Sequence, residues 1–560
     1  MNYRNLAQIL REQAEQRGPS MALRYRRHGI FQDLNWSEYR ERALACAAAL
    51  VEAGIRPGER VAVLAENRVE WLLADMGILT AAAVNVSPHA PLTAKQVHFQ
   101  LEDSVTRWVF ASTREQLEKI AQVRNDLPAL LGVVVFDPID HNLLTSLNAI
   151  SWDGFLQRGR RTLSAQSQEI LDREAALRPD DLATIMYTSG TTGNPKGVML
   201  TQENLVSNAE ATLQLSPHKP DDIVLTWLPF SHIYARTVDH YQSLVAGVVL
   251  CLSESAESVA EDLSEIRPTH MSSVPRLYEK VLTALASPDK AQTRKKLRDF
   301  FGEQIQWLSS GGAPLPRPIT DAYQEAGLPL YQGYGLTETS PVITFNRPGR
   351  NKLGTVGQPI PGVEVRVASD GEVLSRGPHI MKGYWNNPPA TAESIVDGWF
   401  HTGDLGRIDA EGYLSITGRK KELLVLSNGK KVVPSFIEGL LVGDECIDQA
   451  AIAGEGRNYL TALIVPHWEN LRKLLATEQP VLASLDAKNL ATHPVTERVL
   501  HRRIGAALSD VASWEQVKKF VVLVAPFTLA AEELTVSLKL RRSVVLAHYA
   551  DELERLYKSP

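Results

Sequence analysis

The sequence predicts an α/β protein: a large N-terminal domain of doubly wound sheets plus a β-rich lobe, and a small C-terminal α/β domain. Three observations lead there. Over most of the first 330 residues, helical periods alternate with short apolar runs. Between residues 354 and 416 the pattern becomes short strands separated by glycine and proline turns. After the charged cluster Arg419, Lys420, Lys421, Glu422 the α/β alternation resumes for ~140 residues, enough for a small domain. With 560 residues the chain exceeds one ordinary core, and the boundary is set after Gly418, giving domains 1–418 and 419–560.

In chain order, residues 39–53 read as an amphipathic helix and 60–64 as the strand after it, the opening of an alternation that runs from residue 5 to 86. Residues 157–181 are polar and charged and read as a surface helix and loop connecting to a strand at 182–188. Strand and helix patterns alternate again over 224–330, as a parallel sheet requires. Short strands follow at 364–368 and 412–416, then one at 423–426 ending in a tight Ser-Asn-Gly turn. The C-terminal part carries strands at 450–453, 460–465 and 520–524.

An apolar fraction of 44% beside 22% charged residues is that of a globular chain. A net charge of -6, from 59 basic and 65 acidic side chains, gives no global field for nucleic acid or anionic lipid, so nucleic acid is not expected as a partner. Cys46, Cys251 and Cys446 lie too far apart for a metal cluster, and Cys46 sits in an alanine-rich run as a small core residue. The N-terminus lacks the apolar core of a signal peptide, and the most apolar stretches, such as 243–252, are shorter than the roughly 20 residues that span a bilayer. A cytoplasmic location is expected; peripheral membrane contact stays open, since a lipid substrate could bring the chain to a surface.

The strongest local signal is YTSGTTGNPKGV at 187–198, a strand end entering a loop of small hydroxyl residues and glycines with one lysine. Gly190, Gly193 and Gly197 let backbone approach an anion, the hydroxyls of Thr188, Ser189, Thr191 and Thr192 donate hydrogen bonds, and Lys196 adds a charge. It suits phosphate. No Gly-Lys-Ser/Thr closes it, so it is not a Walker loop.

This loop resembles the signature of the acyl-adenylate-forming superfamily. QGYGLTET at 332–339, GWFHTGDL at 398–405, ITGRKK at 416–421 and LTVSLKL at 534–540 match its further motifs in order and cover nearly the whole chain. Three stretches resemble the long-chain fatty acyl-CoA synthetase branch: the Leu-Thr-x-x-Leu-Lys form at 534–539, LPFSHIY at 228–234 and SNGKKVVPSFIE at 427–438. The resemblance implies activation of a carboxylic acid, of medium or long chain in this branch, by ATP to acyl-AMP. Transfer to the thiol of CoA then releases AMP, with a C-terminal domain that moves between the half-reactions.

The resemblance also implies roles for individual residues. Glu338 ligates Mg2+ on the ATP phosphates with help from the Thr188 hydroxyl, hard oxygens suiting that ion, and Thr337 bonds the α-phosphate. Tyr334, within Gln332, Gly333, Tyr334 and Gly335, lies beside adenine, with Gly312 and Ala313 of SSGGAPL lining the base. Asp404 accepts from the ribose hydroxyls, a task suited to two carboxylate oxygens; Arg419 supports ribose or phosphates, and Lys421 occupies the hinge. His232 stands near the carboxylate, and Lys539 bridges carboxylate and α-phosphate. The Ser427–Lys430 turn, with Gly429, serves thioester formation. Ala235 replaces the acidic residue that often precedes Arg236 in this branch. Glu422, Arg541 and Arg542 read as solvated charges. Two alternatives stand beside CoA ligation: loading of an acyl carrier protein, and a silent acyl-nucleotide sensor.

Overall fold

The computed structural model describes residues 5–188, 195–535 and 539–558, excepting the side chain of Ser146. The chain divides into two compact units, one of residues 1–366, 374–402 and 408–414, the other of residues 367–373, 403–407 and 415–560. Asp404 therefore belongs to the second unit. Among the described residues no helix is long and apolar enough to cross a membrane.

Two large sheets form the first unit. One has nine strands, running from Gln358–Pro359 through Val342–Phe345, Leu330–Gly335, Trp307–Ser310, His270–Ser273, Ile223–Thr226 and Val249–Leu252 to Met21–Arg27 and Ile30–Asn35. The other has eight, from Gly383–Tyr384 through Lys196–Thr201, Leu182–Thr188, Val84–Val86, Arg60–Leu64, Thr106–Ala111 and Gly132–Val135 to Ala149–Ser151. Most central pairings are parallel, so the strands are covered by helices and read as near-continuous apolar runs.

Helix Trp36–Glu52 shows how the sequence builds this core. Asn35 and Glu38 close a capping box at its start, satisfying two backbone N–H groups. Its run of alanines and Cys46 is buried. Small side chains let a second helix approach closely: at Gly159 of Trp152–Ala176, a Cβ would fall 1.7 Å from the Ala45 carbonyl oxygen. The polar stretch at 157–181 is thus more than a surface connection. It is the bulk of a 25-residue helix that packs through Phe155, Leu156, Gly159 and Ile170. Polar residues dominate its count, but a few apolar positions decide its packing.

Short strands Glu364–Val367, Glu372–Arg376, Trp399–Ile408 and Leu414–Arg419 realise the β-rich segment, and the division between units runs through them. The second unit has a three-stranded sheet of Ile447–Ala453, Leu460–Pro466 and Val517–Val522, with a core that includes Ile437, Leu441, Leu471 and Leu500. Arg542 is not a solvated charge: it opens helix Arg542–His548 and pairs with the largely covered carboxylates of Glu438 and Glu422, so Glu422 is not simply a solvated neighbour either. Arg541 pairs with Glu532.

Candidate active site

In the first unit the two ends of the 187–198 motif lie on paired strands. Thr188, the last residue of Leu182–Thr188, stands opposite Lys196, the first of Lys196–Thr201. Ser189, Gly190, Thr191, Thr192 and Gly193 lie outside the described residues. The short strand Gly383–Tyr384 pairs with Met199 and Val198 of the hairpin, while the N–H of Met381 donates to the Glu338 carbonyl at 2.9 Å. Segment 381–385 therefore holds the Glu338 motif beside the hairpin that carries Thr188 and Lys196. Side chains complete the link: the Tyr384 hydroxyl donates to Glu338 Oε1 at 2.9 Å, and Lys196 Nζ lies 4.8 Å from the centre of the Tyr384 ring. Burial and then the charge of Glu338 push the Tyr384 hydroxyl's pKa far up, keeping it a donor. Tyr384 is a residue the sequence reading missed, lying outside every motif.

Strand Leu330–Gly335 carries Gln332, Gly333, Tyr334 and Gly335 and runs parallel to Trp307–Ser310, with Gln332 opposite Ser310. Gly312 and Ala313 follow that neighbouring strand. Gly335 is required sterically, since a Cβ would sit 1.7 Å from the Pro341 carbonyl oxygen. Thr337 and Glu338 then enter a short 3-10 turn, Thr337–Thr339, closed by a 2.9 Å bond from the Leu336 N–H to Thr339 Oγ1.

The His232 segment is pinned on both sides. Asn67 bonds the backbone of Leu228 and Phe230, and the Tyr234 N–H donates to His232 Nδ1 at 3.2 Å. Tyr234 reaches Ser309 Oγ at 2.9 Å, with its ring against Gly311, tying this segment to SSGGAPL. His89 was also missed: its ring stacks 6.4 Å from His232 and its Nδ1 meets Ser231 Oγ at 2.7 Å. Burial holds the His89 pKa down to about 4, so it is neutral.

The missing acid before Arg236 has a spatial explanation. Ala235 is buried, and the fully buried guanidinium pairs instead with Asp75 of helix Val69–Thr80, and bonds Tyr241 Oη at 2.7 Å and Thr184 Oγ1 at 2.8 Å.

In the second unit, Arg419 Nε donates to Asp404 Oδ1 at 2.8 Å, an exposed arginine holding a buried carboxylate. Lys420 pairs with Asp370 and Glu372, and Glu372 also accepts the Gly403 N–H at 3.0 Å, which fixes the backbone beside Asp404. Lys421 is exposed in the 3-10 turn Lys420–Glu422. Lys539 is exposed too. Its carbonyl accepts the Thr535 N–H at 2.8 Å and its own N–H donates to Thr535 Oγ1 at 3.0 Å, inside a loop whose ends meet at Leu534 and Leu540. The Ser-Asn-Gly turn is the tip of a hairpin between Leu424–Val425 and Lys431–Val432.

Comparisons with known proteins identify the family. Residues 10–385 match the model of the AMP-binding enzyme family, and residues 421–560 match that of the AMP-binding enzyme C-terminal domain. The chain is 33% identical to the long-chain-fatty-acid–CoA ligase FadD15 of Mycobacterium bovis, over 94% of this chain and 93% of the relative. It is 26% identical to the human long-chain-fatty-acid–CoA ligase ACSBG1, over 98% and 84%. Among solved structures, the anthranilate CoA ligase AuaEII in complex with anthranoyl-AMP shares the fold with a TM-score of 0.79 at 20% identity, over 99% and 98% of the two chains. A fatty acyl CoA synthetase of Mycobacterium tuberculosis gives 0.67 at 25% identity, over 98% and 99%. The chain belongs to the AMP-binding enzyme family, the acyl-adenylate-forming ligases, in its fatty acyl-CoA synthetase branch.

Proposed function

We propose that this enzyme is an AMP-forming ligase that activates a medium- or long-chain fatty acid with ATP and transfers the acyl group to CoA. The observation that carries the reading is the full-length match to long-chain-fatty-acid–CoA ligases, supported by the linked Lys196, Tyr384 and Glu338 side chains beside the phosphate hairpin. The relatives' names favour CoA over a carrier protein as acceptor. The intact set of Thr337, Glu338, Asp404 and Lys539 favours turnover over sensing.

In the first half-reaction a carboxylate oxygen attacks the α-phosphorus and pyrophosphate leaves. The chain offers no nucleophile; it positions the reactants and offsets their negative charge. Lys196 and the hairpin backbone hold the phosphates, Thr337 the α-phosphate, and Tyr334 with Gly312 and Ala313 the adenine. Asp404, oriented by Arg419, takes the ribose hydroxyls. The Glu338 carboxylate and the Thr188 hydroxyl are oxygen donors that suit Mg2+, and Tyr384 orients that carboxylate through one oxygen. Mg2+ bound there would neutralise charge on the departing pyrophosphate. His232 borders the acid's carboxylate and Lys539 bridges it to the α-phosphate. In the second half-reaction the CoA thiol attacks the acyl carbonyl and AMP leaves. We place the swivel between the two steps at Lys421, at the junction of domains 1–418 and 419–560.

The test is CoA-dependent AMP and pyrophosphate release across a panel of carboxylic acids. Turnover highest with medium- and long-chain fatty acids supports the reading. Release confined to aromatic acids, or requiring a carrier protein, overturns it.

A further inference from the structure

Three ionisable side chains outside the adenylating site converge where two parallel strands begin. His218 and Asp222 precede Ile223–Thr226, and His270 opens the neighbouring strand His270–Ser273, opposite Val224. Their side chains are almost wholly covered, at 3%, 3% and 1% exposure. Nδ1 of His218 stands 3.7 Å from Asp222 Oδ2, and Nδ1 of His270 stands 3.8 Å from the same oxygen. One ligand atom from each residue lies within 4.8 Å of the others. The two rings meet edge to face at 4.5 Å, and Trp307 packs at 4.5 Å from His270.

The hydrogen bonding is incomplete at the centre and complete at the rim. Among the described residues, His218 Nδ1 and His270 Nε2 are buried without a hydrogen-bond partner, which a native interior seldom tolerates. Around them, Asp222 accepts the Lys219 N–H at 2.6 Å and Gln306 Nε2 at 3.0 Å, so its carboxylate is fixed. His270 Nδ1 lies 2.8 Å from Thr269 Oγ1, and the Gln242 amide lies 3.4 Å from His218 Nε2. Metal-ligating histidines commonly have such outer partners.

We propose that His218, Asp222 and His270 bind one transition-metal dication of the zinc class. At metal–ligand lengths of about 2.0–2.1 Å, tetrahedral geometry sets ligand atoms roughly 3.4 Å apart, so the ligand atoms, which lie within 4.8 Å of one another, need small side-chain adjustments, of at most about 1.4 Å, to close on an ion. Two imidazoles with one carboxylate select Zn2+ or Co2+ over Mg2+, which takes oxygen ligands. The site is separate in residues and in metal preference from the Glu338 site. Its effect would be structural, clamping the segment around His218 to the start of the neighbouring strand.

The test uses the full chain stripped with chelator and titrated with Co2+ in the absence of ATP. An intense visible absorption band should saturate at an equimolar ratio and be displaced by Zn2+, and Zn2+ should raise the thermal midpoint. His218→Gln and His270→Gln should each weaken binding by at least about 100-fold, exceeding the 10–100-fold cost of losing an outer partner. Glu338→Ala should keep both signals. Asp222→Asn and X-ray absorption on the unmutated chain, expected to report two imidazoles and one oxygen, keep the test sharp if a histidine variant fails to fold. No equimolar band, a band unchanged in both histidine variants, or a band lost with Glu338→Ala overturns the site.

Discussion

The Tyr384 hydroxyl donates a 2.9 Å hydrogen bond to Oε1 of Glu338, joining two segments 46 residues apart. A bond to a charged group contributes about 1.5–3 kcal/mol, so Tyr384→Phe should lower kcat/KM for MgATP roughly 10- to 100-fold and raise the Mg2+ concentration needed for half-maximal rate. Glu338→Ala should lose more, at least about 100-fold. Pyrophosphate release measured across Mg2+ concentrations checks both. A near-normal rate of Glu338→Ala at limiting Mg2+ would show that another group serves the metal.

Arg236 and Asp75 form an ion pair with no exposed side-chain surface. Removing one partner leaves an uncompensated buried charge, which costs about 3–5 kcal/mol. Asp75→Asn and Arg236→Met should each lose stability of this order in urea unfolding, and the double variant should lose less than their sum. Additive losses would mean that the hydrogen bonds from Tyr241 and Asn85, rather than the pair, hold the site.

This pair marks where sequence reading stops. Periodicity located strands at 60–64 and 182–188 with the bounds the structure shows, because a buried strand bounded by turns is a local pattern. The motifs single out Thr337, Glu338, Asp404 and Lys539 as candidates, because each motif is a run of residues adjacent in the chain. Sheet membership is not local: Ile30–Asn35 and Arg60–Leu64, successive strands in the chain, enter different sheets. For the same reason Ala235 looked like a lost acid, although its substitute, Asp75, arrives from a helix 160 residues earlier. His89 and Tyr384 carry no motif, and only burial and contact reveal them. The helix read in residues 157–181 is present, but their polar composition masked how firmly a handful of positions pack it.

Asp239 should give the first unit a pH-dependent stability of unusual sign. Burial pushes its carboxyl up to about 7, against hydrogen bonds from Thr226 and Ser272 that lower it. In the unfolded chain it ionises near 3.8. Between these values the folded state holds the extra proton, so this group's contribution falls as pH rises from about 4 to 7. Asp239→Asn should therefore be more favourable relative to the parent at pH 8 than at pH 4. Denaturant midpoints of both proteins at the two pH values check this; a difference that does not grow with pH removes the assignment.

Lys421→Pro fixes φ in the exposed turn at which the swivel is placed. Domain movement should slow while the adenylating arrangement is largely kept. Single-turnover pyrophosphate release should change only a few-fold, and thioester formation from supplied acyl-adenylate should fall by about 10-fold or more. Equal losses in both would locate the pivot elsewhere.

Lys539 gives the sharpest separation of the two half-reactions. Its backbone is held at both ends through Thr535 while its side chain is exposed. A cation assigned to neutralise charge between carboxylate and α-phosphate stabilises the adenylation transition state and has no such charge to meet once the anhydride has formed. Lys539→Ala should accordingly slow acyl-adenylate formation by about 100- to 1,000-fold, the loss of one preorganised electrostatic donor. Supplied acyl-adenylate should still acylate CoA within a few-fold of the parent rate. Because an exposed lysine contributes little to folding, the thermal midpoint should stay within a degree or so. Chromatography of thioester from supplied adenylate, run beside ATP-driven adenylation of the free acid, separates the outcomes: comparable losses in both assays would make Lys539 structural or active throughout the cycle, and normal adenylation would pass the role to another cation.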